Sequence, residues 1–412
     1  MRKWISALLV GAFAVSLPFA SARQEDPPEP KRELGRIETL LTANPEKFEA
    51  VLKGAHALRV QVLLGEIVEG ESGAELRQSG WRLDAEYFYP GSAVKLVAAA
   101  AALERFNELK QQTAPALTER TPLAFHPLFK GEVLEAADAT NVEGGVLTLE
   151  HLIRKALIVS DNAAYNRLYD VCGQQWLNER AWRAGLSNAK LSHRLAVTRS
   201  IVDNKRTCAI ELRLPDGPVL VDGRWSNVGE LSVVGPKFVY VGKAHRDRGS
   251  LIEHPMSFFN KNYLTLGDLQ TAIVRIVRPD LKLRGEPFDL TEEQRKLLMD
   301  AMSVYPGDSK NPVYDRAAFP DEYAKFFLPG VARVIPKERI KIYNKVGLAY
   351  GFVVDGAYIV DTETNKGFFL AASMYANSDG VLNDDVYDYD TVAFPFFADL
   401  AEVVARDVWG KK

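Results

Sequence analysis

Residues 87–103 read Tyr-Phe-Tyr-Pro-Gly-Ser-Ala-Val-Lys-Leu-Val, then five alanines and a leucine. Pro90 and Gly91 end the preceding segment, and Ser92 stands where the N-cap of a helix is expected. The alanine-rich run that follows predicts a long and mostly buried helix. Because residues three apart share a helix face, Ser92 and Lys95 are predicted to lie together at its start.

The segments around this helix predict a mixed α/β fold. The apolar, β-branched stretch 57–68 predicts a strand before it, and residues 75–83 can form the returning strand of a hairpin. After it, residues 146–159 predict a helix that opens at Thr148, and a second helix follows the break at 160–162. Further predictions are one or two short helices in 33–54, broken at Asn44-Pro45, and helices over 265–278 and 291–303. Towards the C-terminus, strands are predicted over Leu348–Val354, 350–361 and 368–376, followed by a last helix over 395–408.

Composition excludes several classes of protein. The 412 residues carry 51 Lys and Arg against 54 Asp and Glu, and 47% are hydrophobic, so the chain is neither disordered nor fibrous. The net charge of −3, without a basic cluster, predicts no nucleic-acid partner. Two cysteines exclude a disulfide scaffold and a four-thiolate zinc site, and the six histidines lack metal-site spacing. The acidic run 383–390 fits a solvated loop better than a calcium loop, so we expect neither a metal nor another cofactor.

The first 22 residues have the order of a secretory signal. Arg2 and Lys3 precede the apolar run 4–20, which ends in Ala20-Ser21-Ala22. An uncleaved membrane anchor is the alternative, but Pro18 and the small-residue end favour cleavage. We therefore expect a secreted or periplasmic protein without a stable membrane anchor. In such a compartment Cys172 and Cys208 are either bridged or buried as free thiols.

The predicted domain organisation is simple. A signal peptide over 1–22 is followed by an N-terminal extension over 23–54, whose first part is charged and rich in proline. Residues 55–412 form one domain. Within it, 198–262 carries short strand-like pieces between Pro, Gly and Asp turns, and is predicted to be a β-rich insertion.

Ser92 and Lys95 have the residue types of a nucleophile and its base. A serine hydroxyl attacks poorly until a neighbouring base takes its proton, and a buried lysine with a lowered pKa can serve. The N–H groups at a helix start also suit a developing oxyanion. Alone, this spacing is a weak signal because it arises often by chance.

Two further groups are equally weak alone. In Ser160-Asp161-Asn162 the serine could relay a proton and Asn162 could hold a substrate amide, but all three residue types also cap helices. In Lys345-Val346-Gly347 the lysine could hold a carboxylate while Gly347 lets a substrate backbone approach. An ordinary strand with one exposed lysine would explain that group as well.

In this order the three groups resemble the S-x-x-K, S-D-N and K-[T/S]-G motifs of class A β-lactamases and penicillin-binding proteins. The resemblance covers most of residues 50–410 apart from the insertion. It implies an antiparallel sheet flanked by helices plus an all-helical lobe. It also implies that Ser92 is the acylated nucleophile, Lys95 its base and Ser160 the proton relay to the leaving nitrogen. Asn162 would bind the substrate amide, and Lys345 would bind a carboxylate beside Gly347. The N–H groups of Ser92 and Leu348 would form the oxyanion hole.

Two departures from that pattern limit what the resemblance implies. Val346 is apolar where the family has a hydroxyl that helps to bind a carboxylate. Class A enzymes also carry a deacylating Glu roughly 35 residues past S-D-N, but residues 191–198 contain no carboxylate. Glu179 lacks the matching Asn and fits a helix surface. His193 could replace the base by position, although a surface or capping role is the simpler interpretation.

The sequence therefore supports an exported serine hydrolase that forms an acyl-enzyme at Ser92. Its substrates would be β-lactams or D-Ala-D-Ala-type peptidoglycan stem peptides, and deacylation would be slow without the Glu. The first alternative is a non-catalytic protein that keeps the fold and senses peptide or antibiotic. The second is an interaction module built around the insertion 198–262.

Overall fold

A computed structural model describes residues 31–71, 73–228 and 239–411. The predicted signal segment 1–22 lies outside the described residues. The strands are β1 Lys31–Leu34, β2 Gln61–Gly70, β3 Gly73–Trp81, β4 Leu123–Phe125, β5 Ile210–Leu214, β6 Gly217–Val221, β7 Tyr240–Val241, β8 Ala244–Asp247, β9 Ser250–Ile252, β10 Met256–Ser257, β11 Ile340–Ala349, β12 Phe352–Asp361, β13 Lys366–Tyr375 and β14 Val381–Leu382. The helices are α1 Arg36–Thr42, α2 Pro45–Gly54, α3 Val94–Gln112, α4 Leu149–Ile158, α5 Asn162–Cys172, α6 Gln174–Arg183, α7 Ile201–Asn204, α8 Leu266–Val277, α9 Glu292–Ser303, α10 Leu328–Val331 and α11 Phe394–Trp409.

One six-stranded sheet organises the molecule. Its strand order is β1-β3-β2-β13-β12-β11, and its strands pair antiparallel except for β1 with β3. β11 pairs along its whole length with β12 and has no strand of the described residues on its other side, so it is the edge strand of this sheet. The predicted α/β fold class, a sheet flanked by helices with a helical lobe, is confirmed.

Both faces of the sheet are covered, because successive side chains of a strand point to opposite faces. On β2, Val62 and Leu64 belong to the core under α11, while Leu63 belongs to the core that contains α3. The core under α11 also takes in Ile37 and Phe48 of the two N-terminal helices. Those helices are therefore packed on the sheet.

Several sequence-based predictions of elements are confirmed. The hairpin of β2 and β3 pairs from Val62 with Trp81 to Gly70 with Gly73. α4 is capped by Thr148, whose side chain accepts from the His151 N–H at 3.1 Å. The break at Asn44-Pro45 separates α1 from α2.

Two predictions are wrong. Ser92 does not cap the long helix, because it lies inside a short 3₁₀ turn, Gly91–Ala93, and α3 begins only at Val94 without a side-chain cap. The strand predicted over Leu348–Val354 is interrupted by a turn between β11 and β12, whereas the strand predicted over 350–361 is present as β12. Tyr350 and Gly351 in that turn have φ of 55° and 80°, a left-handed conformation that a strand cannot contain.

Short strands dominate the described part of the segment 198–262. It holds α7 and the six strands from β5 to β10. They form three small sheets with β4 and β14, which lie outside the segment. In the described residues, no helix is both long enough and apolar enough to cross a membrane.

Candidate active site

The turn that carries Ser92 lies in backbone contact with the edge strand β11. A Cβ atom added at Gly347 would lie 2.0 Å from the Pro90 carbonyl oxygen, and one added at Gly91 would lie 3.0 Å from the Leu348 nitrogen. Gly91 also has a φ of 50°. Only glycine allows this approach at both positions. The space beside Gly347 is therefore filled by the chain itself.

Ser92 faces a large cavity of about 1700 Å³. Its side chain is half-buried, and its hydroxyl forms no hydrogen bond with any residue in the described ranges. Asn162 and Leu348 line the same cavity. Leu348 is 42% exposed at this wall of the cavity.

Lys95 is the buried cation of the site. It lies one turn into the protein from Ser92 and is 0% exposed. Its Nζ donates to the carbonyl oxygen of Ser160, to the Ser160 Oγ at 3.2 Å and to the Asn162 Oδ1 at 2.7 Å. Burial, and then the nearby charge of Lys345, hold the pKa of Lys95 well below that of an ordinary lysine. A neutral amine at this position can accept a proton.

Lys345 approaches Ser160 from the opposite side. Its Nζ donates to the Ser160 Oγ at 2.8 Å and to the Val346 carbonyl oxygen at 3.0 Å. Burial, opposed by the charge of Asp355 and reinforced by that of Lys325, lowers the pKa of Lys345 to about 7. The Ser160 hydroxyl is thus held between two buried amines.

The turn between α4 and α5 sets these contacts. Ser160 has a φ of 63°, an uncommon conformation for a residue with a side chain. Asp161 caps α5 by accepting from the Ala164 N–H at 2.7 Å. All three residue types of this group are common helix caps, but of the three only Asp161 caps a helix. Ser160 and Asn162 face Lys95 instead.

Val346 is packed inside the protein. It is 5% exposed and belongs to the core under α11. Its side chain is therefore directed away from the cavity. Val346 supplies no polar group in place of the hydroxyl that the family has at this position.

The loop 191–199 forms the wall of the cavity opposite β11. Asn166, one turn into α5 from Asn162, binds both backbone groups of Leu195, donating to its oxygen at 3.0 Å and accepting from its nitrogen at 2.8 Å. Leu195 stands 35 residues past Ser160 and is 6% exposed. An apolar side chain therefore stands at the spacing from Ser160 at which the family pattern has a Glu. Glu179 is exposed on α6, where it bonds Gln175.

His193 lies in the cavity wall. Its ring is parallel to that of Tyr89, with centroids 6.3 Å apart. Nδ1 contacts the Arg194 carbonyl oxygen at 2.6 Å, so Nδ1 carries the proton and Nε2 is left as the acceptor. No residue of the described ranges hydrogen-bonds to Nε2. Burial lowers the pKa of His193 to about 4, so the ring is neutral at pH 7.

The sequence did not single out the far end of the cavity. Lys261, from the segment 198–262, lies with its Nζ 5.4 Å from the centroid of the Tyr350 ring. Tyr350 also contacts Tyr89 and Phe258 edge-on, at 5.5 and 5.6 Å. No local sequence signal marks this end of the cavity, because the turn at Tyr350-Gly351 carries none of the dipeptides typical of turns.

Neither thiols nor metal clusters contribute to the site. Cys172 and Cys208 are both free and buried. Among residues 31–71, 73–228 and 239–411, no group of three or more His, Cys, Asp or Glu side chains is arranged to hold a metal ion.

Comparison with known families agrees with this geometry. Residues 46–213 match the model of the β-lactamase enzyme family, and this range includes Ser92, Lys95, Ser160 and Asn162. The resemblance to the β-lactamase family is confirmed. None of the curated proteins that were compared with the chain matches it.

Solved structures share the β-lactamase fold at low sequence identity. A PBP-A mutant, solved as an acyl-enzyme complex with penicillin G, is 12% identical, with a TM-score of 0.50 over 93% of this chain and 99% of that one. A β-lactamase from Desulfarculus baarsii is 18% identical, with a TM-score of 0.47 over 90% and 96%. The β-lactamase from Streptomyces albus G is 15% identical, with a TM-score of 0.46 over 90% and 99%.

Proposed function

We propose that this β-lactamase-like chain is an exported serine hydrolase that forms an acyl-enzyme at Ser92. Its substrates are β-lactams or D-Ala-D-Ala-type cell-wall peptides, and its deacylation is slow. The observation that carries the proposal is the Ser160 hydroxyl, held between the buried amines of Lys95 and Lys345 beside a cavity lined by Ser92. A binding protein would gain nothing from burying two lysines at such cost.

The acylation step assigns each proton to a described group. The Ser92 Oγ attacks the amide carbon, and its proton passes to the neutral Lys95 Nζ. From Lys95 the proton moves through the Ser160 hydroxyl, 3.2 Å away, to the leaving nitrogen as the C–N bond breaks. The N–H groups of Ser92 and Leu348 stabilise the oxyanion, and Asn162 holds the substrate amide. An ester at Ser92 results.

Slow deacylation follows from the loop 191–199. Water attacks an ester efficiently only when a base removes its proton, an effect of roughly 10²–10⁴ in rate. Leu195, which Asn166 holds at this wall, has no proton acceptor in its side chain. The ester therefore persists.

The test is to follow the intact mass of the purified protein after adding penicillin G. We expect a stable adduct with the mass of the whole antibiotic, because opening the lactam ring releases no fragment. Ser92→Ala removes the nucleophile and should abolish the adduct. Ser187→Ala, at an exposed serine outside the cavity, is the matched control and should label like the wild type.

The other outcomes separate the alternatives. Antibiotic loss without a lasting adduct would contradict slow deacylation and direct attention to His193, whose Nε2 has no partner among the described residues. In that case His193→Gln should restore the adduct. Neither adduct nor turnover, combined with saturable binding of penicillin G, would favour the non-catalytic sensor.

Export and domain organisation belong to the same proposal. Cleavage after Ala22 would release a mature protein that starts at Arg23, with 23–54 as an extension of the domain 55–412 and 198–262 as its insertion. Sequencing the N-terminus of the exported protein tests this directly. A mature chain that still carries residues 1–22 would contradict it.

A further inference from the structure

We infer that Lys261 and Tyr350 form a second anion site in the cavity, which selects acyl donors that carry a carboxylate on the acyl side of the bond to be cleaved. The inference rests on the proposed acylation at Ser92 and extends it to the class of substrate. Such a donor has one anionic group near Lys345 and another on the opposite side of the reacting carbonyl.

The state of Lys261 is the first argument. The side chain is half-buried in the cavity wall, and its ammonium lies over the face of the Tyr350 ring at 5.4 Å. It forms no ion pair with any carboxylate of the described residues, although the chain forms many such pairs elsewhere. A partly desolvated cation whose sole contact is an aromatic face can still accept an anion.

Neighbouring cations are already engaged, which distinguishes Lys261 from them. Arg194 pairs with Asp170 and Arg199 pairs with Glu132. Lys190 donates to the Phe259 carbonyl oxygen at 2.7 Å. Lys261 thus differs from Arg194 and Arg199, whose charges are matched by carboxylates.

The edge strand sets the position of Lys261 relative to Ser92. A strand advances about 3.3 Å per residue, so from Lys345 to Ala349 β11 spans about 13 Å. The turn that carries Ser92 meets this strand at Gly347 and Leu348, between the two ends. Lys345 therefore lies on one side of the reacting carbonyl and Tyr350, with Lys261, on the other.

The aromatic neighbours hold this second site in place. Tyr350 is fixed in its turn by the left-handed φ of 55° and by edge-on contacts with Tyr89 and Phe258. Two carboxylates, Asp247 and Asp385, also line the cavity, but neither lies within 4.0 Å of the Lys261 amine. The site therefore offers a fixed aromatic face and, at Lys261, a cation without a carboxylate partner among the described residues.

Three penicillins that differ at one position provide the test. Benzylpenicillin has no charge on its acyl side chain, carbenicillin adds a carboxylate at the α-carbon, and ampicillin adds an amine there. The second-order rate of Ser92 acylation is measured for each by intact mass. In the wild type we expect carbenicillin to acylate Ser92 faster than benzylpenicillin does. This preference should weaken as salt is added.

Substitutions at Lys261 then change the ratio of rates. Lys261→Ala should lower the carbenicillin-to-benzylpenicillin ratio about tenfold, the effect of losing one charged contact. Lys261→Arg should retain the preference, and Lys261→Glu should transfer it to ampicillin. Lys243→Ala, at an exposed lysine in the same segment but outside the cavity wall, should leave the ratio unchanged.

Each result decides between the two proposals. If Lys261→Ala is acylated with an unchanged ratio, or slows all three penicillins equally, the second anion site is refuted while acylation at Ser92 stands. If the wild type is acylated by none of the three, the proposed function fails and this inference fails with it.

Discussion

Ser160 lies at the centre of the site, since its hydroxyl binds the amines of two buried lysines and its carbonyl binds one of them. The charge of Lys345 lowers the pKa of Lys95, because two like charges in a buried space oppose each other. For Lys95, burial is the larger cause and the charge of Lys345 the second. The protonation of Lys95 should therefore control acylation.

The pH dependence of acylation tests this coupling. A base must be deprotonated, so the rate should rise with pH and level off far below the pKa of about 10.4 of a free lysine. Lys345→Met removes the charge that depresses the pKa of Lys95, so the rising limb should move to higher pH. Acylation rates of Ser92 measured across pH give both curves.

The control is Lys366→Met, at an exposed lysine at the start of β13. It should leave the rising limb of the pH profile of acylation unchanged. If the rising limb of the Lys345→Met profile lies at unchanged or lower pH, the coupling between the two lysines is refuted.

Leu195 offers a second test at the scale of one residue. Leu195→Glu would place a carboxylate at the cavity wall while Asn166 still holds the backbone. We expect the adduct of penicillin G to turn over about 10²–10⁴ times faster, because a base now activates water. Loss of antibiotic and decay of the adduct mass are the measurements. Leu195→Gln, of similar size but without a base, should leave the adduct stable, and equal turnover by both variants would contradict the assignment.

Among the elements, β11 and the turn Gly91–Ala93 depend on each other. A methyl group at Gly347 would lie 2.0 Å from the Pro90 carbonyl oxygen, which is backbone and cannot rotate away. Gly347→Ala should therefore separate the strand from the turn, slow acylation strongly and cost about 1–3 kcal/mol in the free energy of unfolding. Acylation rate and denaturant unfolding measure the two effects.

Gly267→Ala is the matched control for this prediction. Its added Cβ would meet only the Thr265 Oγ1, at an ordinary 3.5 Å. In α8 the change should leave acylation intact and stability within about 1 kcal/mol. If Gly347→Ala behaves like Gly267→Ala, the close approach of β11 to the turn is not required.

Local signals explain which elements the sequence could predict. The hairpin of β2 and β3 and the cap at Thr148 depend on alternation and on one side chain, so both were predictable. The turn at Tyr350 was not, because it carries neither Pro nor Asn and the strands on both sides are apolar. The meeting of Ser92 with Leu348 depends on backbone contact across some 250 residues of chain, and pattern alone contains no such information.

At the scale of the whole molecule, a buried polar network joins the helical lobe to the sheet. The Lys325 Nζ donates to the Met302 carbonyl oxygen at the end of α9, at 2.8 Å, and to the Asn344 Oδ1 on β11, at 3.0 Å. Asn344 in turn donates to Asp355 on β12 at 2.9 Å, and Asp355 also accepts from the Phe326 N–H at 3.0 Å. Asn344 directly precedes Lys345, so this network supports the strand that carries the site.

A double-mutant cycle measures how strongly the network acts. Lys325→Met removes a positive charge that acts on the buried Asp355 and leaves the acceptors of Met302 and Asn344 without their donor, so unfolding should become easier by about 1–3 kcal/mol near pH 7. Adding Asp355→Asn removes the stranded charge, so the double variant should lose less than the sum of the two single losses. Denaturant unfolding gives the free energy of unfolding of the wild type, the two single variants and the double variant. The control Lys310→Met, at an exposed lysine, should unfold like the wild type.

The pH dependence of that loss has a definite sign. Burial raises the folded-state pKa of Asp355 to about 6, above the usual value of about 3.9. Below pH 6 the folded protein therefore takes up a proton that the unfolded chain still lacks, and Asp355 becomes neutral. The defect of Lys325→Met should then shrink between about pH 6 and pH 4, because there is less buried charge to leave unpaired. A defect that stays constant or grows over this window would mean that Lys325 acts through its hydrogen bonds to Met302 and Asn344 and not as the counter-ion of Asp355.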